Sequence, residues 1–128
     1  MPRFVVLRHE TSDGTHFDFM VEAGAVLKTW ALAEPPRPGV EIEAAPLADH
    51  RLAYLDYEGP ISGDRGSVMR WDCGQCTVER QTAAQWVLDL DGGKLHGTLT
   101  VCCTAEEPSK WLVRFEHSGD SEAQHQAV

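Results

Sequence analysis

Two histidines and an aspartate fall within ten positions in the stretch "LRHETSDGTHFDFMVE" (7–22), as His9, His16 and Asp18. Imidazole nitrogen and carboxylate oxygen together suit manganese, zinc or iron(II) better than magnesium or calcium. The run "HFDFMVE" (16–22) alternates strictly, so His16, Asp18, Met20 and Glu22 face one way and Phe17, Phe19 and Val21 the other. A strand of this kind spaces the Cβ atoms of His16 and Asp18 by roughly 6–7 Å, close enough to share an ion. His9 closes the preceding β-rich run "RFVVLRH" (3–9), and the polar loop "ETSDGT" can return it beside His16. Spacing alone also permits a solvated strand face with incidental polar residues, because His and Asp commonly flank turns.

Other reactive side chains are more scattered. Cys73, Cys76, Cys102 and Cys103 allow ordinary reduced thiols, a disulfide or redox pair, or a zinc site. Adjacent strand residues point to opposite faces, which sets Cys102 against Cys103 as joint ligands. "CGQC" reads as a tight hairpin with its cysteines across from one another, and the reduced state is the expectation. His50 stands apart as a surface or hydrogen-bonding histidine, and His96 as a half-exposed strand position. No role is assigned to His117 and His125 near the end of the chain.

The elements that must position these groups are short and β-rich. "VLKTWAL" (26–32) is the expected hairpin partner of the strand over 16–22. "AEPPRPGVEIEAAP" is Pro-rich and acidic and is expected to be a surface connection. A short strand is expected within 50–57, a glycine-bounded loop at "ISGDRGS", and a hairpin over "VMRWDCGQCTVERQ". "QWVLDLDGGKLHGTLTVCC" carries a Gly-Gly turn between two apolar runs, and "KWLVRFEH" supplies a last strand. Seven or eight short, mostly antiparallel strands without a ten-residue helix predict an all-β fold, a small closed or partly open β-barrel. One domain is expected over 1–117, with a disordered tail over 118–128.

Composition narrows the function. The chain has 128 residues and a formal net charge of −9. A general DNA binder needs a basic face, because phosphate neutralisation supplies most of that affinity; any nucleic-acid contact is therefore local or mediated by a bound cation. No apolar run of about 18 residues exists, so no membrane span is expected. "MPRFVVLRHE" is not a signal peptide, which points to the cytoplasm.

The segment "FVVLRHETSDGTHFDFMVEAGAVLKTWAL" resembles the opening of the 3′-phosphoesterase domain of bacterial DNA ligase D, roughly F-V-[IV]-[QH]-[KR]-H, a polar loop, L-H-[YF]-D-F-R-L-E and [GD]-x-L-x-S-W-A-[VI]-P. "ADHRLAYLDYEG" is similar to E-D-H-P-x-x-Y-x-x-F-E-G, and "VMRWDCG", "KLHGTLTV" and "KWLVRF" follow the family's W-D-x-G, K-L-x-G and W-L-[IL] segments in order. Together they cover about residues 4 to 115.

This resemblance implies a small β-barrel with a metal-dependent site that removes 3′-phosphates and terminal ribonucleosides during end repair. By position, His9, His16 and Asp18 resemble the metal ligands, with manganese the expected ion and zinc or cobalt the alternatives. His50 matches the site histidine of D-H-P, and Tyr54 matches the tyrosine four residues on. The chain departs from the pattern at Met20, where the family has Arg, at Glu34, where it has Lys, and at Ala48, where it has Glu. Arg8, Arg51 and Arg65 are the candidates to replace the missing phosphate contacts, with Arg65 preferred because its glycine-flanked loop also exposes backbone N–H groups. The implied substrate is a nucleic-acid 3′ end, with a separate ligase or polymerase as partner. A metal-binding, non-catalytic interaction module and a phosphoesterase for a small phosphorylated substrate are the rival readings.

Overall fold

The computed structural model describes residues 1–106 and 109–118. The strands are β1 (Arg3–Thr11), β2 (Gly14–Ala23), β3 (Val26–Leu32), β4 (Glu41–Arg51), β5 (Gly59–Pro60), β6 (Ser67–Gln81), β7 (Gln85–Gly92), β8 (His96–Glu106) and β9 (Ser109–His117), with a 3-10 turn at Leu52–Leu55. Their order in one sheet is β1-β2-β3-β4-β9-β8-β7-β6-β5, and a further pairing of β1 with β6 closes the sheet into a ring. The pairings between these strands are antiparallel. The all-β expectation holds; the two-residue β5 brings the count to nine. No helix among the described residues is long and apolar enough to cross a membrane.

Two apolar clusters lie on opposite faces of the sheet, and the second one positions the site. The interior of the ring is filled by residues such as Phe4, Val6, Phe19, Trp30, Leu88, Leu99 and Phe115. The opposite face of β1, β2 and β3 carries Val5, Leu7, Met20 and Leu27, packed with Leu55 of the 3-10 turn and Val68 of β6. Strict alternation along β2 is therefore present, but both of its faces are covered over 18–21. Fully burying a side chain of this size contributes roughly 1.5–3 kcal/mol, enough to hold the turn and the following segment down on the outer face.

Three local expectations are corrected. Residues 41–51 form β4 rather than part of a surface connection, because Ile42 and Ala44 alternate inward between exposed Glu41 and Glu43. Pro46 is tolerated there because β4 pairs with β9 only through Ala44, so its outer edge is free beyond that residue. The short strand expected in 50–57 is the end of β4 followed by the 3-10 turn. "CGQC" is not a hairpin but the middle of the fifteen-residue β6. Gly74 pairs with Phe4 on one side and Gly92 on the other, and a Cβ on it would lie 2.1 Å from the Asp91 carbonyl oxygen. That glycine answers a close strand approach, not a turn.

The loop "ETSDGT" is also shorter than expected. β1 runs to Thr11 and β2 starts at Gly14, so Thr11 faces Gly14 and His9 faces His16 directly. The tail expected over 118–128 lies outside the described residues from 119 onward, as does His125.

Candidate metal centre

The hairpin register brings the opening trio together. His9 and His16 are cross-strand partners, and Asp18 lies two residues further along β2 on the same outer face. One ligand atom from each of His9, His16 and Asp18 lies within 4.8 Å of the others, and among the described residues this is the one group of His, Cys, Asp or Glu side chains so gathered. The four cysteines are free. Cys73 packs against the outer apolar cluster and Cys76 lies in the ring interior, so an odd spacing on a continuous strand sets them on opposite faces. Burial pushes the Cys76 thiol up to about 11, which keeps it protonated and inert at neutral pH.

The donor set fits a divalent cation. His9 Nδ1 is 3.1 Å from Asp18 Oδ2, and His16 Nε2 is 3.0 Å from Asp18 Oδ1. Neighbouring donors on an ion with bonds of about 2.1 Å lie roughly 3.0–3.4 Å apart, depending on tetrahedral or octahedral arrangement. Asp18 is buried, and its Oδ1 has no correctly directed hydrogen bond despite the short approach of His16. The surroundings of His9 strengthen the fit. Its Nε2 lies 2.8 Å from the carbonyl oxygen of Arg65 and its Nδ1 lies 3.1 Å from Asp18 Oδ2, and both oxygens can only accept. A neutral ring carries one proton for these two contacts, and a cation at Nδ1 would leave that proton on Nε2. Two acceptors at 3.1 Å repel unless a second proton or a cation stands between them.

Beside the trio lies a cavity of about 470 Å³ whose wall includes His9, Asp18, Met20, His50, Arg51, Tyr54 and Arg65. His50 reaches it from the end of β4, where it pairs with Leu27 on the outer face. Its Nδ1 lies 2.8 Å from the Ala48 carbonyl, so Nδ1 donates and Nε2 is left for other partners. The His50 and Tyr54 rings meet edge to face, with centroids 5.7 Å apart. The turn bearing Tyr54 is tied to β1 by Arg3, whose Nη2 sits 2.7 Å from Asp56 Oδ1. The hydrogen bond from Arg3 holds the exposed Asp56 carboxyl below its usual range, and the same bond raises the Arg3 guanidinium.

The three candidate arginines separate. Arg8 does not line this cavity; it pairs with Glu10 at 3.1 Å and lies against a neighbouring one. Arg65 lines it, but its guanidinium is turned back on its own loop, with Nε donating to the Ser62 carbonyl at 2.7 Å. Arg51 lines the cavity and is exposed, and its side chain makes no hydrogen bond or ion pair among the described residues, which leaves it the cation best able to receive an anion.

The departures from the family pattern also have locations. Met20 is buried among Val5, Leu7 and Leu27 and forms apolar floor under the cavity. Glu34 is paired with Arg37 away from the cavity, and Ala48 lines the cavity rim. Sequence reasoning missed the backbone carbonyls of Arg65 and Ala48, which orient the two histidines. The glycines around Arg65 were the visible signal for the first; the second leaves no trace in residue types.

A ring of antiparallel strands carrying two histidines and a carboxylate beside an outer-face cavity defines a small all-β domain with a candidate metal centre. The chain belongs to the DNA ligase D 3′-phosphoesterase domain family, whose family model matches residues 7–102. It is 35% identical over 93% of its length to the multifunctional non-homologous end joining protein LigD of Pseudomonas aeruginosa. It is 30% identical over 85% of its length to the multifunctional non-homologous end joining DNA repair protein LigD of Mycobacterium tuberculosis. The matches cover 16% and 15% of those two proteins, so the chain spans about one-sixth of the relatives it matches.

Proposed function

We propose that the chain is a divalent-metal-dependent phosphoesterase that processes nucleic-acid 3′ ends in DNA repair, releasing a terminal phosphate or ribonucleotide. The observation that carries this reading is that His9 and Asp18 of the gathered trio line the same cavity as His50, Tyr54 and Arg51. Family membership and the end-joining names of the relatives support it. In this reading the chain works in the cytoplasm beside a ligase or polymerase that uses the cleaned end.

His9 Nδ1, His16 Nε2 and an Asp18 oxygen would hold the ion, with manganese preferred and zinc or cobalt as alternatives. A bound ion would supply charge neutralisation at the phosphoryl oxygens and a more acidic water. His50 holds its Nδ1 proton on the Ala48 carbonyl, so Nε2 is the reacting atom: in the imidazolium form it gives a proton to the leaving oxygen, and in the neutral ring it accepts one from the attacking water. The Tyr54 hydroxyl donates to a phosphoryl oxygen, and Arg51 offers its guanidinium fork to the same group. Met20 and its apolar neighbours exclude water from the cavity floor.

A second reading, a small phosphorylated substrate, is favoured by the net charge of −9 and by Met20 in place of the family's arginine, both of which weaken the grip on a long polyanion. Phosphate release from a 3′-phosphorylated primer and from small phosphomonoesters, with Mn, Zn, Co or Mg, separates the readings. Manganese-dependent release from the primer, lost in His9→Ala and with a raised KM in Arg51→Ala, is expected. Turnover restricted to small esters selects the second reading. Metal binding without turnover on any of these substrates overturns both and leaves a non-catalytic interaction module.

A further inference from the structure

We propose that the loop over residues 61–66 is a positioning clamp for the metal centre, in which the Arg65 carbonyl fixes the orientation of the His9 ring and Gly66 is the residue that makes the contact possible. The inference rests on reading His9 as a ligand, and it concerns atoms that residue types do not reveal.

The clamp begins with the contact itself. His9 Nε2 lies 2.8 Å from the Arg65 carbonyl oxygen, across 56 residues of sequence, and the same ring pose aims Nδ1 at Asp18 Oδ2, 3.1 Å away. Metal-binding histidines characteristically donate their second ring N–H to a carbonyl or carboxylate, which fixes the ring and makes it a better donor.

Several features hold that carbonyl in place. Gly66 has φ +83°, a region in which side chains are strained. A Cβ on Gly66 would lie 1.9 Å from the Glu10 carbonyl oxygen and 3.1 Å from Thr11 Cα. Both neighbours are backbone of β1, the strand that carries His9, so they cannot yield as a flexible side chain would. The loop is closed by the Ile61 N–H donating to the Gly66 carbonyl at 2.8 Å. Inside it, Asp64 adopts φ +58° and the Arg65 guanidinium caps the Ser62 carbonyl at 2.7 Å. Arg65 thus acts through its main chain on His9 while its side chain braces the loop. This assigns the residue a role different from the phosphate contact expected of it.

The consequence is that Gly66→Ala pushes the loop off β1 and releases His9 Nε2, without removing a ligand or an atom of the cavity. The loss of such an outer partner typically costs 10–100-fold in metal affinity.

Two measurements test this. The first uses the unaltered, metal-free chain: nuclear Overhauser contacts between the His9 ring protons and the backbone of Arg65 and Gly66. The clamp predicts these contacts in the parent; a His9 ring without them overturns it. The second compares Mn²⁺ affinity by calorimetry in the parent and in Gly66→Ala, with backbone amide spectra confirming that the ring of strands is intact. A 10–100-fold loss with the His9 contacts gone is expected. A folded variant that keeps the parent's affinity within about threefold overturns the clamp. If the parent binds no Mn²⁺ at all, the proposed function fails, while the ring contacts still decide the clamp.

Discussion

Replacing Asp72 by alanine should unfold the chain more readily than removing His50, Arg51 or Tyr54 of the cavity, and without touching metal affinity. Asp72 is buried on β6, and its carboxylate accepts three backbone N–H bonds from the turn between β7 and β8: Gly93 at 2.9 Å, Lys94 at 3.1 Å and Leu95 at 2.7 Å. Hydrogen bonds to a charged acceptor contribute about 1.5–3 kcal/mol each, and a buried donor left alone costs about 1–3 kcal/mol. The Leu95 bond is buried and stands at the full value, while the part-buried Gly93 and Lys94 donors recover some of theirs from water. The sum is about 3–5 kcal/mol, a third or more of the stability of a domain of this size. Asp72→Asn keeps one acceptor oxygen and turns an amide toward the remaining donors, so it should lose about 2–3 kcal/mol. Urea unfolding followed by tryptophan fluorescence measures both, with Mn²⁺ titration of the folded protein beside it. A loss below about 1 kcal/mol for Asp72→Ala would refute the bookkeeping. A coupled loss of metal affinity would refute the assignment of "WDCG" and "KLHG" to the scaffold rather than the site.

Three further outcomes follow from named contacts. His50→Gln should lower kcat about 10²–10⁴-fold with Mn²⁺ affinity unchanged, since His50 enters the proposed reaction by proton transfer and not as a ligand; equal loss of binding would move it into the metal shell. Met20→Arg should cost about 1–3 kcal/mol, because Met20 is buried in the outer apolar cluster, yet tighten inhibition by inorganic phosphate, because the same side chain floors the cavity; unchanged phosphate inhibition would separate that position from substrate. The Cys76 thiol, raised by burial from 9.0 to about 11, contributes stability that is fully present below pH 9 and lost as pH rises toward 11, because the unfolded chain ionises first. Urea midpoints between pH 8 and 11 should fall less steeply in Cys76→Ala, and parallel curves would refute the buried-thiol assignment.

The trio was legible because strand alternation and a turn-prone gap let His9, His16 and Asp18 converge, and the family resemblance singled them out; the structure tightened that gap to a two-residue turn and put the histidines in register. The location of the centre on the outer face was not legible. It depends on a second apolar cluster assembled from Leu27, Leu55 and Val68, which lie far apart in the chain. β4 hid behind Pro46 and its glutamates although Ile42 and Ala44 alternate, because composition outweighed periodicity in that segment. The length of β6 was obscured by Gly74, whose role is a close approach to β7 rather than a bend. Main-chain partners such as the Arg65 and Ala48 carbonyls carry no side-chain signature, so the orientation of both site histidines could only come from three-dimensional contacts.

The central claim, that His9, His16 and Asp18 form a divalent-metal centre facing a substrate cavity, is tested most directly by titrating Mn²⁺ into ¹⁵N- and ¹³C-labelled protein and mapping paramagnetic broadening. The account predicts saturable binding of one ion per chain, with broadening centred on His9, His16 and Asp18, extending to His50 and Tyr54, and abolished in Asp18→Ala. Non-saturating binding, or broadening centred on exposed acids such as Asp89 and Asp91 and unaffected by Asp18→Ala, would contradict it.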